Sequence, residues 1–208
     1  MAPRGLLLAG LAALACALPA AAQSTNSRDL ATGKFLVANR GLADPNFSET
    51  VVLLVAFDEN GVVGLVVNRR TKLPVSTAIA IQEAKHRPEP VYYGGPVELE
   101  GVMALARSSA AIEGAKHVVG DVYLIVNKQL LDKSLASPIS SSAFHIFLGY
   151  AGWSAPQLRN ELRQGGWYIF PGDSSLVFDG EPGTVWDRLI AKAEVRFALF
   201  TPPTYAPR

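Results

Sequence analysis

His86, His117 and His145 are the side chains of this sequence best suited to pass a proton near neutral pH. Hydrolysis by a serine would need one of them beside the nucleophile, with an acid to orient the ring. The sequence marks no such serine, because the Gly-x-Ser-x-Gly elbow is absent. Ser108 and Ser140 are the serines to look for in a cleft beside His145. His145 alternates with Phe144 and Ile146 in an apolar run, where a structural or surface histidine is the simpler reading. The three histidines lack His-Glu-x-x-His spacing, so no metal is expected. Gly94-Gly95-Pro96 could turn backbone N–H groups toward an anion. It lacks the longer glycine pattern of a phosphate loop, and a tight turn after a short strand is the favoured reading.

Recognition by polar and aromatic side chains is the other chemistry on offer. Asn68 and Arg69 end an apolar run, where they could reach a groove; capping of the strand end by Asn68 through local backbone is the favoured reading. Tyr150, Trp153, Gln157 and Glu161 form a second group. Gln157 and Glu161 are spaced i, i+4 and share a helix face, and a polar pair beside two aromatics suits a peptide or small ligand. Capping by Gln157 and stapling by Trp153 account for the same residues without a ligand. Asp44, before Pro45, and Asp173, after Gly172, read as turn residues.

The elements that must position these groups are legible around them. Ala143–Leu148 reads as a buried strand and Gly149 with Gly152 as a tight turn. Ser154 and Gln157 make a capping box, Trp153 and Leu158 a staple across it, and Gly165-Gly166 the helix end. Trp167–Phe170 begins another strand. Upstream, Gly33–Ala38 is a strand and Leu42–Phe47 a turn. Thr50–Phe57 and Val62–Val67 form a hairpin across Asp58–Gly61, apolar on both faces and therefore central. Val75–Ala84 can form a helix after Pro74. Val91–Tyr93, Val102–Ala106 and Asp121–Val126 read as strands, and Lys128–Leu135 as a helix. Thr184 and Asp187 open a last helix with Trp186, Leu189, Ile190 and Ala193 on one face. The pattern predicts one α+β domain over residues 33–200, with a mostly antiparallel, strongly curved sheet. A polar linker, residues 23–32, precedes it and a loose proline-rich tail, residues 201–208, follows.

Residues 1–22 read as a secretory signal peptide: Arg4, an apolar run from Gly5 to Leu18, then Ala20-Ala21-Ala22. The run is short for a membrane span of ~20 residues, so an uncleaved anchor is the lesser alternative. Cys16 also allows a lipoprotein reading, against which Ala13-Leu14-Ala15 is a poor lipid-attachment box. Cleavage behind Ala22 would remove the single cysteine, and with it thiol catalysis, disulfides and cysteine-based metal sites. The processed chain, ~185 residues, is long enough for one sound core. Arg4 is the one charged residue before Gln23, so the processed chain carries 18 basic and 18 acidic residues. Neutrality argues against nucleic-acid binding. The clusters Arg69-Arg70-Thr71-Lys72 and Lys85-His86-Arg87 read as solvated loop ends rather than phosphate sites.

Four segments in order, GKFLVANRGLADPNFSETVVLL, GVVGLVVNR, YYGGPVE and GYAGWSAPQLRNELRQGGW, resemble the YqgE/AlgH family of bacterial proteins. The resemblance covers nearly all of Gly33 to Ile190. It implies a compact fold with a small closed β-barrel and surrounding helices, and no catalytic mechanism. Some members carry a transcriptional-regulator label, but this chain lacks a second, basic recognition helix beside the Gly149–Gln164 stretch. Two departures stand out. The family resembled is mostly without a signal peptide, and it usually has proline where Arg70 stands. The expected function is a non-enzymatic binding or accessory protein of the bacterial envelope, periplasmic or secreted. It would need no cofactor, and its partner would be a protein, peptide or small ligand, not nucleic acid. The alternatives are a cytoplasmic regulator whose true start lies near the domain, and a hydrolase with an unmarked site.

Overall fold

A computed structural model describes residues 24–137, 140 and 142–200. The expected signal peptide and the expected tail therefore lie outside the described residues. Strands β1 (Phe35–Ala38), β2 (Val51–Asp58) and β3 (Gly61–Val66) form an antiparallel meander. Val51 to Val55 are buried on both faces of β2, as their unbroken apolar run requires. The hairpin turn forms where expected: the Asn60 amide donates to Asp58 Oδ1 at 2.8 Å.

β4 (Arg70–Pro74) leads into α1 (Val75–Ala78), a single turn. The helix expected to run to Ala84 stops there: Ile79 is extended, and a 3-10 turn covers Gln82–Ala84. Val75, Thr77 and Ile79 are β-branched and weak helix formers. Breaking the helix lets Val75, Ile79 and Ala84 all enter the core with Leu131 and Leu135. β5 (Pro90–Tyr93) pairs with β4. β6 (Val97–Arg107), β7 (Lys116–Val119) and β8 (Val122–Ile125) follow, then α2 (Lys128–Ala136). β9 (Phe144–Trp153), α3 (Ala155–Arg163) and β10 (Trp167–Phe170) form the next run, and α4 (Ser174–Val177) and α5 (Val185–Phe200) close the described chain. Trp186, Leu189, Ile190 and Ala193 of α5 are buried as their spacing predicted, and the Trp186 indole donates to the Ala38 carbonyl at 2.8 Å. Thr184 does not open α5 as a capping box: its hydroxyl donates to the Glu181 carbonyl within the preceding 3-10 turn.

The strands run in the order β10-β1-β2-β3-β9-β6-β8-β7, with β5 joined to β9 in parallel and β4 to β5. The domain is single, and its sheet is mostly antiparallel. The path has two ends, so the small closed barrel implied by the resemblance is not formed. β9 also departs from the expected turn at Gly149 and Gly152. The strand runs straight through both glycines. Its first half pairs with β6 and β5, and Ala151, Gly152 and Trp153 pair with β3. One strand thus bends from one set of partners to the other, with Gly149 at φ +68° at the joint. Beyond β10, Ser24 exchanges both backbone hydrogen bonds with Ile169, at 2.8 and 2.7 Å, and Leu30 is buried. Among the described residues no helix is long and apolar enough to cross a membrane.

Candidate functional site

Four of the eight residues singled out in the sequence are committed to the fold. Asn68, just past β3, is only 8% exposed. Its Oδ1 accepts the Val51 amide at 2.8 Å and its Nδ2 donates to the Glu49 carbonyl at 2.9 Å. Arg69 donates to the carbonyls of Asn46 and Ser48, at 2.6 and 2.7 Å, and lies over the Tyr93 ring. Together they sew the turn before β2 to the end of β3. Gly94 and Gly95 are not an anion cradle. The Gly94 amide donates to the Leu148 carbonyl at 2.8 Å, and its carbonyl accepts the Val66 amide at 2.9 Å. A β-carbon on Gly94 would stand 2.2 Å from the Gly149 carbonyl oxygen, and one on Gly95 2.2 Å from the Tyr150 carbonyl carbon. The dipeptide is where two backbones cross in contact.

The second group is brought together, with one exception. Tyr150 points to Glu98, its hydroxyl 3.4 Å from Oε1. Trp153, Gln157 and Glu161 converge. Ser154 caps α3 by accepting the Gln157 amide at 3.2 Å, which sets Gln157 and Glu161 one turn apart. Gln157 forms only half of the expected box: its side chain reaches forward, donating from Nε2 to Glu161 Oε1 at 3.0 Å. Glu161 Oε2 accepts two indole N–H groups, from Trp153 at 3.1 Å and Trp167 at 2.8 Å.

Trp167 and Phe47 belong to this group, and sequence reading missed them. Phe47 stacks on Trp153 with centroids 5.3 Å apart and meets Trp167 edge-on at 5.5 Å. The signal for Trp167 was present in the glycine pair before it. At the end of α3 the Gly165 amide donates to the Leu162 carbonyl and the Gly166 amide to that of Glu161, a Schellman turn with Gly165 at φ +77°. That turn folds the following residue back over the last turn of the helix. No comparable local signal marks Phe47.

Beside this cluster opens a cleft of about 440 Å³, between the turn after β1 and the C-terminal end of α3. Its polar walls are Asn39, Asp44 and Glu161, and its aromatic walls Phe47 and Trp167. Asp44 also serves its turn, accepting the Asn46 amide at 2.8 Å. Three neutral donors orient the Glu161 carboxylate, and it is in none of the ion pairs among the described residues. Neutral donors stabilise the charge without cancelling it. A fixed carboxylate beside aromatic faces suits a cation.

His145 lies elsewhere, in β9. It is 8% exposed, its ring stacked on Tyr92 at 4.4 Å and tilted against Phe178 at 4.9 Å. Its pocket contains neither Ser108 nor Ser140. The Ser108 hydroxyl donates to the Ala110 carbonyl at 2.7 Å, and Ser140 shares a hydroxyl–hydroxyl bond of 2.9 Å with Ser142. Ser142 does line the pocket with His145 and Asp179. Asp179, however, binds Arg188 and the Glu181 amide, so these three residues are not wired as a triad.

The AlgH-like family model matches residues 35–198. The chain belongs to the AlgH-like family. A UPF0301 protein of Chlorobaculum tepidum is 35% identical over 162 residues, covering 77% of this chain and 86% of that protein. One from Streptomyces avermitilis is 35% identical over 178 residues, covering 81% and 89%. Among solved structures, the AlgH protein from Pseudomonas aeruginosa matches with TM-score 0.63 at 29% identity, over 85% of this chain and 94% of that one. A Corynebacterium diphtheriae protein matches with TM-score 0.66 at 20% identity, over 85% and 90%, which is a likeness of fold. The cleft, the Asn68 corner and the His145 pocket all fall inside the AlgH-like unit.

One ion pair of the AlgH-like domain should be visible in its acid stability. Burial pushes the Asp179 carboxyl up, but the hydrogen bonds from Arg188 and the Glu181 amide, with the Arg188 charge, outweigh it and leave its pKa below the ordinary value. A lowered folded pKa means stabilisation that is present above the unfolded value of about 3.9 and lost as pH falls through the folded value. Melting temperatures measured from pH 5 downward should fall less steeply in Asp179→Asn than in the parent.

Proposed function

We propose that this AlgH-like protein is a non-enzymatic binding protein of the bacterial envelope, periplasmic or secreted after cleavage behind Ala22. The cleft beside α3 receives a positively charged group of its protein, peptide or small-molecule partner. The observation that carries the reading is Glu161, which lines the cleft, has its carboxylate fixed by Trp153, Gln157 and Trp167, and is in none of the ion pairs among the described residues. The signal-like sequence of residues 1–22 supports the placement.

Two measurements test it. Fractionation with mass spectrometry of the native N-terminus should find Gln23 first in the periplasmic or secreted fraction. A cytoplasmic chain starting near the domain would overturn the placement. For the cleft, a tri-arginine peptide should quench the indole fluorescence saturably, and a tri-glutamate peptide should not. Glu161→Gln keeps an oxygen for the two indoles and removes the charge, so it should fold and bind tri-arginine about tenfold more weakly, near 1.4 kcal/mol. Equal binding by the variant, or none by the parent, would remove the cleft reading.

A further inference from the structure

The pocket at His145 carries chemistry opposite to that of the cleft. It has a volume of about 190 Å³, bounded by the starts of β4 and β5, the start of β9 and the turn after α4. Arg70 and Tyr92 are directly opposed in the β4–β5 pair, so their side chains leave the same face. Tyr92 and His145 reach that face together, because β5 runs parallel to β9 with Tyr92 opposite Phe147. The Tyr92 hydroxyl and His145 Nε2 are 3.5 Å apart, too long for a strong bond and close enough for both to serve one guest.

Charge decides what that guest is. Two carboxylates stand in the wall, Glu89 and Asp179, and each is matched by an arginine outside it. Arg87 pairs with Glu89, and Arg188 with Asp179. Behind Phe178, Arg107 pairs with Asp121 at 3.2 Å. Arg70 is in none of the ion pairs among the described residues, so the pocket keeps one uncompensated positive charge. Around it stand three groups able to donate: the Tyr92 hydroxyl, a ring nitrogen of His145 and the Ser142 hydroxyl. Size narrows the class further. Drug-sized ligands occupy roughly 300–1,000 Å³, whereas this pocket holds the equivalent of about six waters at ~30 Å³ each. A group of a few heavy atoms fits.

We propose that this pocket binds a small oxyanion, held by the Arg70 guanidinium with Tyr92, His145 and Ser142 as hydrogen-bond donors. The guanidinium fork matches two oxygens of a phosphate or a carboxylate.

The test uses the full-length protein with isotope labels on tyrosine and histidine. Inorganic phosphate, glycerol 1-phosphate as a lipid-headgroup stand-in, and acetate are titrated separately, with sodium chloride at matched ionic strength as control. Saturable shifts of the Tyr92 and His145 signals with at least one oxyanion, absent with chloride, are expected. Which of the three binds most tightly assigns the source. Arg70 is exposed, so Arg70→Gln should fold normally and weaken binding at least tenfold; Arg70→Lys, which keeps charge without the fork, should recover part of it. Ser142→Ala should weaken it severalfold. Shifts that grow linearly without saturation, or undiminished binding in Arg70→Gln, would overturn the proposal.

Discussion

Gly94→Ala is expected to remove a large share of this domain's stability, although it adds a single methyl group. The added carbon would stand 2.2 Å from the Gly149 carbonyl oxygen and 3.2 Å from its carbon. Neither neighbour is a side chain that could rotate away. Gly94 is held from both sides, by its amide on Leu148 and its carbonyl on the Val66 amide. Gly149 is held at φ +68° where β9 changes partners. Relief must therefore come from separating strands at the junction of the sheet. Overpacking among adaptable side chains costs about 1–3 kcal/mol. With backbone on both sides the cost should pass ~4 kcal/mol, a large share of the ~5–15 kcal/mol that holds such a domain together. Urea denaturation followed by circular dichroism gives the value. A variant within about 1 kcal/mol of the parent would show that the crossing is compliant.

The second large effect is expected at Asn68. Asn68→Ala leaves the Val51 amide and the Glu49 carbonyl without their partner at a position almost closed to water. Each such group costs about 1–3 kcal/mol, so a loss of about 2–6 kcal/mol in urea midpoint analysis is expected. Glu49, which Asn68 holds, is one of two non-glycine residues with positive φ among the described residues, at +55°. The bond to its carbonyl therefore also keeps a strained turn in place. A ligand-binding asparagine would behave differently, leaving the denaturation midpoint unchanged and lowering affinity alone.

Much of the fold could be read where a local rule and the tertiary structure agree. The β2–β3 hairpin follows from an unbroken apolar run on each side of an Asp-Glu-Asn-Gly turn. Helix α3 follows from Ser154 at one end and Gly165-Gly166 at the other. Failures fall where long-range pairing decides. Strand β4 was taken for a charged loop end, because it pairs with β5 alone and Arg70 and Lys72 stay exposed. In the other basic cluster, Arg87 is buried and paired, supported by residues fifty or more positions away that no local window contains: it donates to the Ser137 carbonyl at 3.0 Å and packs over Phe144. β7 offered four residues and no clear alternation. The glycines of β9 read as a turn from within the chain, whereas Gly149 serves a crossing with Gly94-Gly95 and Gly152 packs beside Tyr150 and Val97.

The candidate cleft was half legible for the same reason. Gln157 and Glu161 share a helix face by spacing alone, and Trp153 is fixed by the cap next to it. Phe47 arrives from a distant turn, and only the sheet places it there. Arg70, Tyr92 and His145 likewise come from three strands whose order the sequence does not state.

The bridge between Ser24 and Ile169 bears on whether copies of this chain stay apart. β10 ends the sheet path, and beyond it Ser24 takes up both backbone groups of Ile169. An open strand edge is a template for another chain. Ser24, just ahead of the domain, therefore covers part of one of its open strand edges. A chain begun at the domain itself, or trimmed there by a protease, would carry an uncovered Ile169 and a route to polymerisation.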